Sequence, residues 1–486
     1  MEWFIAPEYW FARQVLERGI AAVYVFAFVG AARQFRALIG EHGMLPVPRF
    51  VARRPFRVAP SLFQLHYSDR YFAAVAWSGA AVSAALVGGV ADLLPLWAAM
   101  AMWLLVWVLY LSIVNVGQVW YSFGWESLLL EAGFLVIFLG NDRVAPPVLV
   151  VWLARWLVYR VEFGAGLIKL RGDRCWRDLT CLYYHHQTQP MPGPLSWFFH
   201  RLPKPLHRIE AGANHVAQLV VPFGLFAPQP VASVAAAVII VTQLWLVLSG
   251  NFAWLNWLTI ILAWSAVSNS AATTVFPIPA APHPANSPLW FTVPVFVFVA
   301  CTVVLSYLPV RNMLSSRQRM NQSYNPFHLV NTFGAFGVVD RVRYEVVIEG
   351  ADDSRLTSRT HWREYEFKGK PGDLHRLPRQ WAPYHLRLDW LLWFAAHSTA
   401  YARPWFGGLL QRLLRNDPAT LRLLRSNPFP DAPPRFVRAR LYEYRFTTPR
   451  ELLATHAWWT RTLVSEYAPP MFLSNPPEQR RRASRA

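Results

Sequence analysis

The stretch WLARWLVYRVEFGAGLIKLRGDRCWRDLTCLYYHHQTQPMPGP, residues 152–194, sets an apolar helix carrying Arg155, Glu162 and Lys169 directly against a loop dense in Cys, His and Pro. At about 100° per residue, Arg155, Tyr159, Glu162, Gly166 and Lys169 fall near one line along the helix. Ionised groups at membrane depth cost about 2.5 to 3.5 kcal/mol each on insertion scales, so such a face turns toward protein or a polar cavity and marks a candidate site. Two chemistries suit it. Lys169, in an apolar pocket, would have a lowered pKa and could serve as a base, with Glu162 and Arg155 beside it. Alternatively Lys169 snorkels to the headgroups, and Glu162 pairs with Arg155 or Arg160 to fix helix packing.

Around that helix the chain reads as a polytopic membrane protein. Of its 486 residues 54% are hydrophobic and 15% charged, against a usual share of about 25% charged. Nine apolar runs fit a mainly α membrane bundle of about nine transmembrane helices, near residues 14–38, 71–91, 95–116, 124–140, 146–169, 213–227, 231–249, 252–270 and 289–309. Residues 1–13 lack a basic n-region with a small-residue cleavage site, so the first run is expected to remain as an anchor. With nine passages, the polar loops 39–70 and 170–212 and everything after residue 310 share one side. The expected domains are a bundle over 1–310, a C-terminal α+β domain over 311–468 and a disordered basic tail over 469–486. Half-buried strands are expected at 341–350, 361–369 and 435–446, and amphipathic helices at 385–398 and 406–416.

The net charge of +19 comes from scattered Arg without a zinc pattern or RNP-type box, so nucleic acid is not an expected partner. Membrane lipids are, through Arg49, Arg53, Arg54 and Arg57 just beyond the first run. Cys175 and Cys181 are close enough in sequence for a loop disulfide, and Cys301 falls in the last run as a packing residue. The prolines at 190, 192 and 194 predict an extended segment that includes His185 and His186. Adjacent histidines in an extended chain point to opposite sides, so no metal and no cofactor is expected. Glu126, Glu131, Gln118, Asn214, His215, Gln218, Asn251 and Asn256 are expected at membrane depth and could line a shared cavity. Together with His185 and His186, residues Glu126, Asn214 and His215 are the candidate binding residues.

The segments GLIKLRGDRCWRDLTCLYYHHQTQPMPGPLSWFFHRLP (166–203), LVVPFGLFAPQP (219–230), LSGNFAWLNWLTI (248–260) and NPFHLVNTFGAFGVVDRVRYEVVIEG (325–350) resemble the lipase maturation factor family over nearly the whole chain. That resemblance implies a multi-pass membrane protein which, in animals, resides in the endoplasmic reticulum and helps secreted lipases fold and assemble, with a C-terminal domain that engages clients. The Arg- and Ala-rich composition looks bacterial, which would place the same role in the plasma membrane with other exported clients. A shorter likeness, GAGLIKL followed by a loop Trp, is similar to the lysine-bearing region of vitamin K-dependent gamma-carboxylases. It implies the alternative of a membrane-embedded enzyme using Lys169 as base on a lipid-like or protein substrate.

Overall fold

The computed structural model describes residues 2–278 and 287–473. The chain divides into two units. The first comprises residues 1–33, 47–341 and 380–385, and the second residues 34–46, 342–379 and 386–486.

The first unit is helical. Its main helices are α1 (Trp10–Leu38), α2 (Asp69–Val87), α3 (Leu96–Val116), α4 (Gly124–Val136), α5 (Val148–Arg171), α6 (Leu182–Thr188), α7 (Ser196–His200), α8 (Lys204–Leu219), α9 (Val231–Ser249), α10 (Leu255–Ala263) and α11 (Leu289–Leu314). Their limits follow from the sequence. Pro95 and Pro147 precede the first turns of α3 and α5, where a missing N–H costs nothing, and Gly117 and Gly172 close those helices. Pro294 and Pro309 lie inside α11, which a membrane helix tolerates. Among the described residues, five helices are long and apolar enough to cross a membrane: α1, with the turn before it, α2, α3, α9 and α11. The other four expected runs also coil, but differently. α5 has the length yet carries its charges, α4 and α10 are short, and the run at 213–227 breaks at Val220 between α8 and a single turn, Val221–Gly224. The exposed side of α11 bears Val293, Val297, Val303, Val304 and Tyr307, an apolar strip suited to lipid contact. Cys301, expected to be a packing residue, lies exposed on the same helix.

Polar contacts gather the interhelical connections of this unit into two sets. In one, Arg13 donates to the Val144 carbonyl at 3.0 Å and pairs with Asp142, while Asn141 donates to the carbonyls of Ala91 (3.1 Å) and Leu94 (3.0 Å). Gln229 joins that set through Tyr9 Oη (3.0 Å) and the Ala266 carbonyl (2.9 Å), and Asn269 through the Pro7 carbonyl (3.0 Å). In the other set Asn115 donates to the carbonyls of Pro60 (2.8 Å) and Pro326 (3.0 Å), and the Asp173 amide to Gly337 (2.8 Å). Asn251 completes it, donating to the Pro192 carbonyl (3.2 Å) and accepting from the amides of Trp381 (2.6 Å) and Ala382 (2.9 Å). Residues 311–341 and 380–385, expected with the C-terminal domain, therefore pack in the first unit.

The second unit is α+β. Strands β1 (Arg343–Ala351), β2 (Arg363–Glu364), β5 (Phe436–Phe446) and β6 (Trp459–Met471) form an antiparallel sheet in the order β2-β1-β5-β6, and β3 (Glu366–Phe367) pairs with β4 (Leu424–Ser426). Helices α12 (Arg387–His397) and α13 (Phe406–Leu413) bury Leu391, Leu392, Leu409 and Leu413. Three expectations need correction. β1 is buried along both faces, because its alternating acids are paired rather than solvated: Glu345 meets Arg343 (2.5 Å) and Lys370, and Glu349 meets Arg438 at 2.7 Å. The run at 361–369 splits into β2 and β3, which serve different sheets. The chain is still a strand at 469–471, because β5 offers that stretch a partner; of the expected disordered tail, residues 474–486 lie outside the described residues.

Candidate functional site

α5 runs unbroken for 24 residues, so Arg155, Glu162 and Lys169, seven apart, stay on one face. All three are buried. The face meets neighbours rather than lipid, and each charge finds its own partner. Arg155 donates from Nε to the Ser265 carbonyl (3.1 Å) and from Nη1 to the Leu225 carbonyl (3.2 Å), with its guanidinium 4.7 Å over the Tyr9 ring. Glu162 Oε1 accepts from Gln243 Nε2 at 2.6 Å, and Gln243 Oε1 in turn accepts from Asn256 at 2.6 Å. Lys169 Nζ donates to Asn214 Oδ1 (2.7 Å) and Gln218 Oε1 (2.8 Å) and lies 4.8 Å from the centre of the Trp176 ring. Lys169 therefore does not snorkel: at 4% exposure it is enclosed by amides of α8 and an indole.

Pairing of Glu162 with Arg155 or Arg160 does not occur. Arg160 instead pairs with Glu131 of α4, and Glu131 Oε2 also accepts from the amide and side-chain nitrogens of Asn331, each at 2.9 Å. Beside this ion pair Gly164 is required by space, since a Cβ there would overlap the Phe333 carbonyl oxygen.

The candidate binding residues do not converge. Asn214 joins Lys169, and His215 Nε2 lies 3.0 Å from the carbonyl oxygen of Trp176. Glu126 belongs elsewhere, with Tyr110 Oη and, at 3.8 Å, His385 Nδ1. The expected shared cavity is thus several separate polar contacts, because each buried polar group finds the nearest complement on its own helix neighbours. His185 and His186 are helical, in α6, and not extended: the helix ends at Thr188, so Pro190 lies beyond it and bars only its continuation. His185 packs between Phe252 and Phe336, with ring centres 6.3 and 4.9 Å away. Burial, then the charge of Lys169, pushes its imidazole down to about 3. Burial, then His185, holds His186 well below the ordinary value.

The loop after α5 is rigidly built. Cys175 and Cys181 form a disulfide with Cα atoms 4.8 Å apart, and Trp176 between them donates to the Phe336 carbonyl at 2.7 Å. Closing so short a loop stabilises it by about 2 kcal/mol in the chain-entropy model.

The sequence of this buried seam and its loop matches a known pattern. The lipase maturation factor transmembrane domain model covers residues 11–274, and the lipase maturation factor C-terminal domain model covers residues 329–469. The chain belongs to the lipase maturation factor family. It is 41% identical to lipase maturation factor 1 of Bos taurus over 96% of this chain and 90% of that protein, and 38% identical to the Homo sapiens protein of that name over 96% and 88%. Lipase maturation factor 2 of Mus musculus is more distant, 28% identical over 96% of this chain and 83% of its own. No solved structure matches significantly. The family is one of multi-pass membrane proteins, in keeping with the apolar helices of the first unit.

Gln243, which bridges Glu162 to Asn256, was not legible as a site residue, although it is the lone amide in the apolar run of α9. The same holds for His207 and Glu210. Their i,i+3 spacing on α8 was a signal, but nothing in the linear sequence ties them to His186.

Proposed function

We propose that this chain assists the maturation of exported lipases, as a membrane-embedded folding factor. The observation that carries the reading is that both family models and the named relatives match along almost the entire chain. In a bacterial cell the protein would lie in the plasma membrane, and in a eukaryote in the membrane of the endoplasmic reticulum. The C-terminal domain would engage the client, and the bundle would hold it at the membrane. The hydrogen bonding of Lys169 supports this reading over the gamma-carboxylase-like one, because the amine is engaged by two amide oxygens. Deleting the gene in its own host should lower the specific activity of secreted lipase while leaving the amount of lipase polypeptide made unchanged. Unchanged lipase activity per polypeptide would overturn the proposal.

The bundle itself we read as crossing the membrane nine times. The grouping of connections supports it: those near 91–94, 141–144, 225–229 and 266–269 interlock with the start of α1, as every second connection of a nine-pass bundle must. If only the five long apolar helices crossed, residues 143 and 174 would share a side. Arg143→Cys and Arg174→Cys, both at exposed positions on either side of α5, should react with an impermeant thiol reagent from opposite sides, and reaction from one side would remove α5 as a passage and overturn the nine-pass reading.

A further inference from the structure

His186 on α6 and His207 and Glu210 on α8 offer ligand atoms that all lie within 4.8 Å of one another. Three residues apart, His207 and Glu210 share one face of α8, with Nδ1 and Oε2 separated by 3.8 Å. His186 reaches them from the next helix, its ring centre 5.7 Å from that of His207. Both imidazoles are almost wholly enclosed, at 1% and 2% exposure. None of their four ring nitrogens has a hydrogen-bond partner, nor has Glu210 Oε2.

Buried polar atoms are satisfied in the great majority of cases, so five orphaned atoms at one spot need a reason. A neutral imidazole carries one N–H and one lone pair. At 3.8 Å the His207–Glu210 contact is too long for a hydrogen bond, and either ring can turn its lone-pair nitrogen toward the space it shares with the free carboxylate oxygen. Glu210 Oε1 is meanwhile held by Trp245 Nε1 at 2.7 Å, which fixes the carboxylate as an outer-shell donor fixes a metal ligand. Two imidazoles and one carboxylate are the ligand set of a three-residue zinc site with an open fourth position. Ligand atoms of a tetrahedral zinc stand about 3.3 Å apart, within reach of the present spacing through small side-chain rotations.

We propose that His186, His207 and Glu210 bind a divalent transition metal, best matched by zinc, clamping α6 of the loop to α8. The nearby trio Asp173, Cys175 and Cys181 is not an equivalent site, because its sulfurs are joined in the disulfide and supply no thiolate. Imidazole and carboxylate donors suit zinc, whose filled d shell accepts an irregular geometry.

The test uses the full chain, purified in detergent without a histidine tag, incubated with zinc and then exchanged into metal-free buffer. The expected result is about one zinc retained per chain, and d–d absorption typical of four-coordinate cobalt when Co2+ replaces it. His186→Asn and His207→Asn should each lower retained zinc by about tenfold or more. Should either histidine variant fail to fold, Glu210→Gln decides: it keeps the side chain's shape and the acceptor for Trp245, and should still weaken zinc binding by at least about tenfold. Wild-type protein retaining less than about a tenth of a zinc per chain would overturn the proposal. So would undiminished zinc in folded Glu210→Gln, which would place the metal elsewhere.

Discussion

Glu131→Ala is expected to leave little folded protein in the membrane. The carboxylate of Glu131 is the counter-charge to Arg160, whose side chain is 2% exposed, and it also accepts two hydrogen bonds from Asn331. Arg160 donates onward to the Asn331 carbonyl at 2.7 Å and lies over the rings of Trp156 and Phe333. Removing the acid strands a buried guanidinium and the Asn331 amide at once, and leaves the Asn331 side-chain nitrogen with its bond to the His328 carbonyl at 2.7 Å. Breaking one side of such a pair costs about 3 to 5 kcal/mol, a large part of the roughly 5 to 15 kcal/mol that holds a domain together. The double variant Glu131→Leu with Arg160→Met should be milder than either single change, since no unpaired charge remains. Yield of monodisperse protein and thermal unfolding in detergent check both. Wild-type stability in Glu131→Ala would show that the pair does not bear on folding.

Lys169→Met is the second large effect, and its form separates a structural lysine from a catalytic one. Without Nζ, Asn214 Oδ1 and Gln218 Oε1 lose their donor and buried Glu162 loses a nearby positive charge. The expected cost is about 2 to 4 kcal/mol, with less folded protein as the result. Client lipase activity should then fall in proportion to the folded amount, while activity per folded molecule is kept. A base would behave otherwise: Lys169→Met would fold and be inert, and Lys169→Arg would be inert too, because a guanidinium stays protonated. Loss of lipase maturation at full folded yield would sink the structural reading of Lys169.

Much of the bundle was legible because hydropathy and proline positions act locally. α1, α3, α9 and α11 begin and end close to where their apolar runs do, and the face of α5 follows from helical spacing alone. The strands β1 and β5 were legible from alternation, whereas β6, at 459–471, was not. Its prolines Pro469 and Pro470 argue against a strand, and only pairing with β5 makes one. Partners were the least legible feature. Glu162 had two arginines on its own helix, Arg155 and Arg160, and it took neither, since pairing neighbours on a helix stand three or four residues apart.

What the sequence determined by itself was therefore the family, the membrane class, the helical runs and the fact that Arg155, Glu162 and Lys169 must turn inward, since each is a local or compositional property. The tertiary structure alone decided which group answers each charge: Gln243 for Glu162, Asn214 and Gln218 for Lys169, and Glu131 for Arg160. It also decided that His186 meets His207 and Glu210. Those contacts join residues 21 to 81 positions apart, and no periodicity within a helix encodes which face of another helix will be pressed against it.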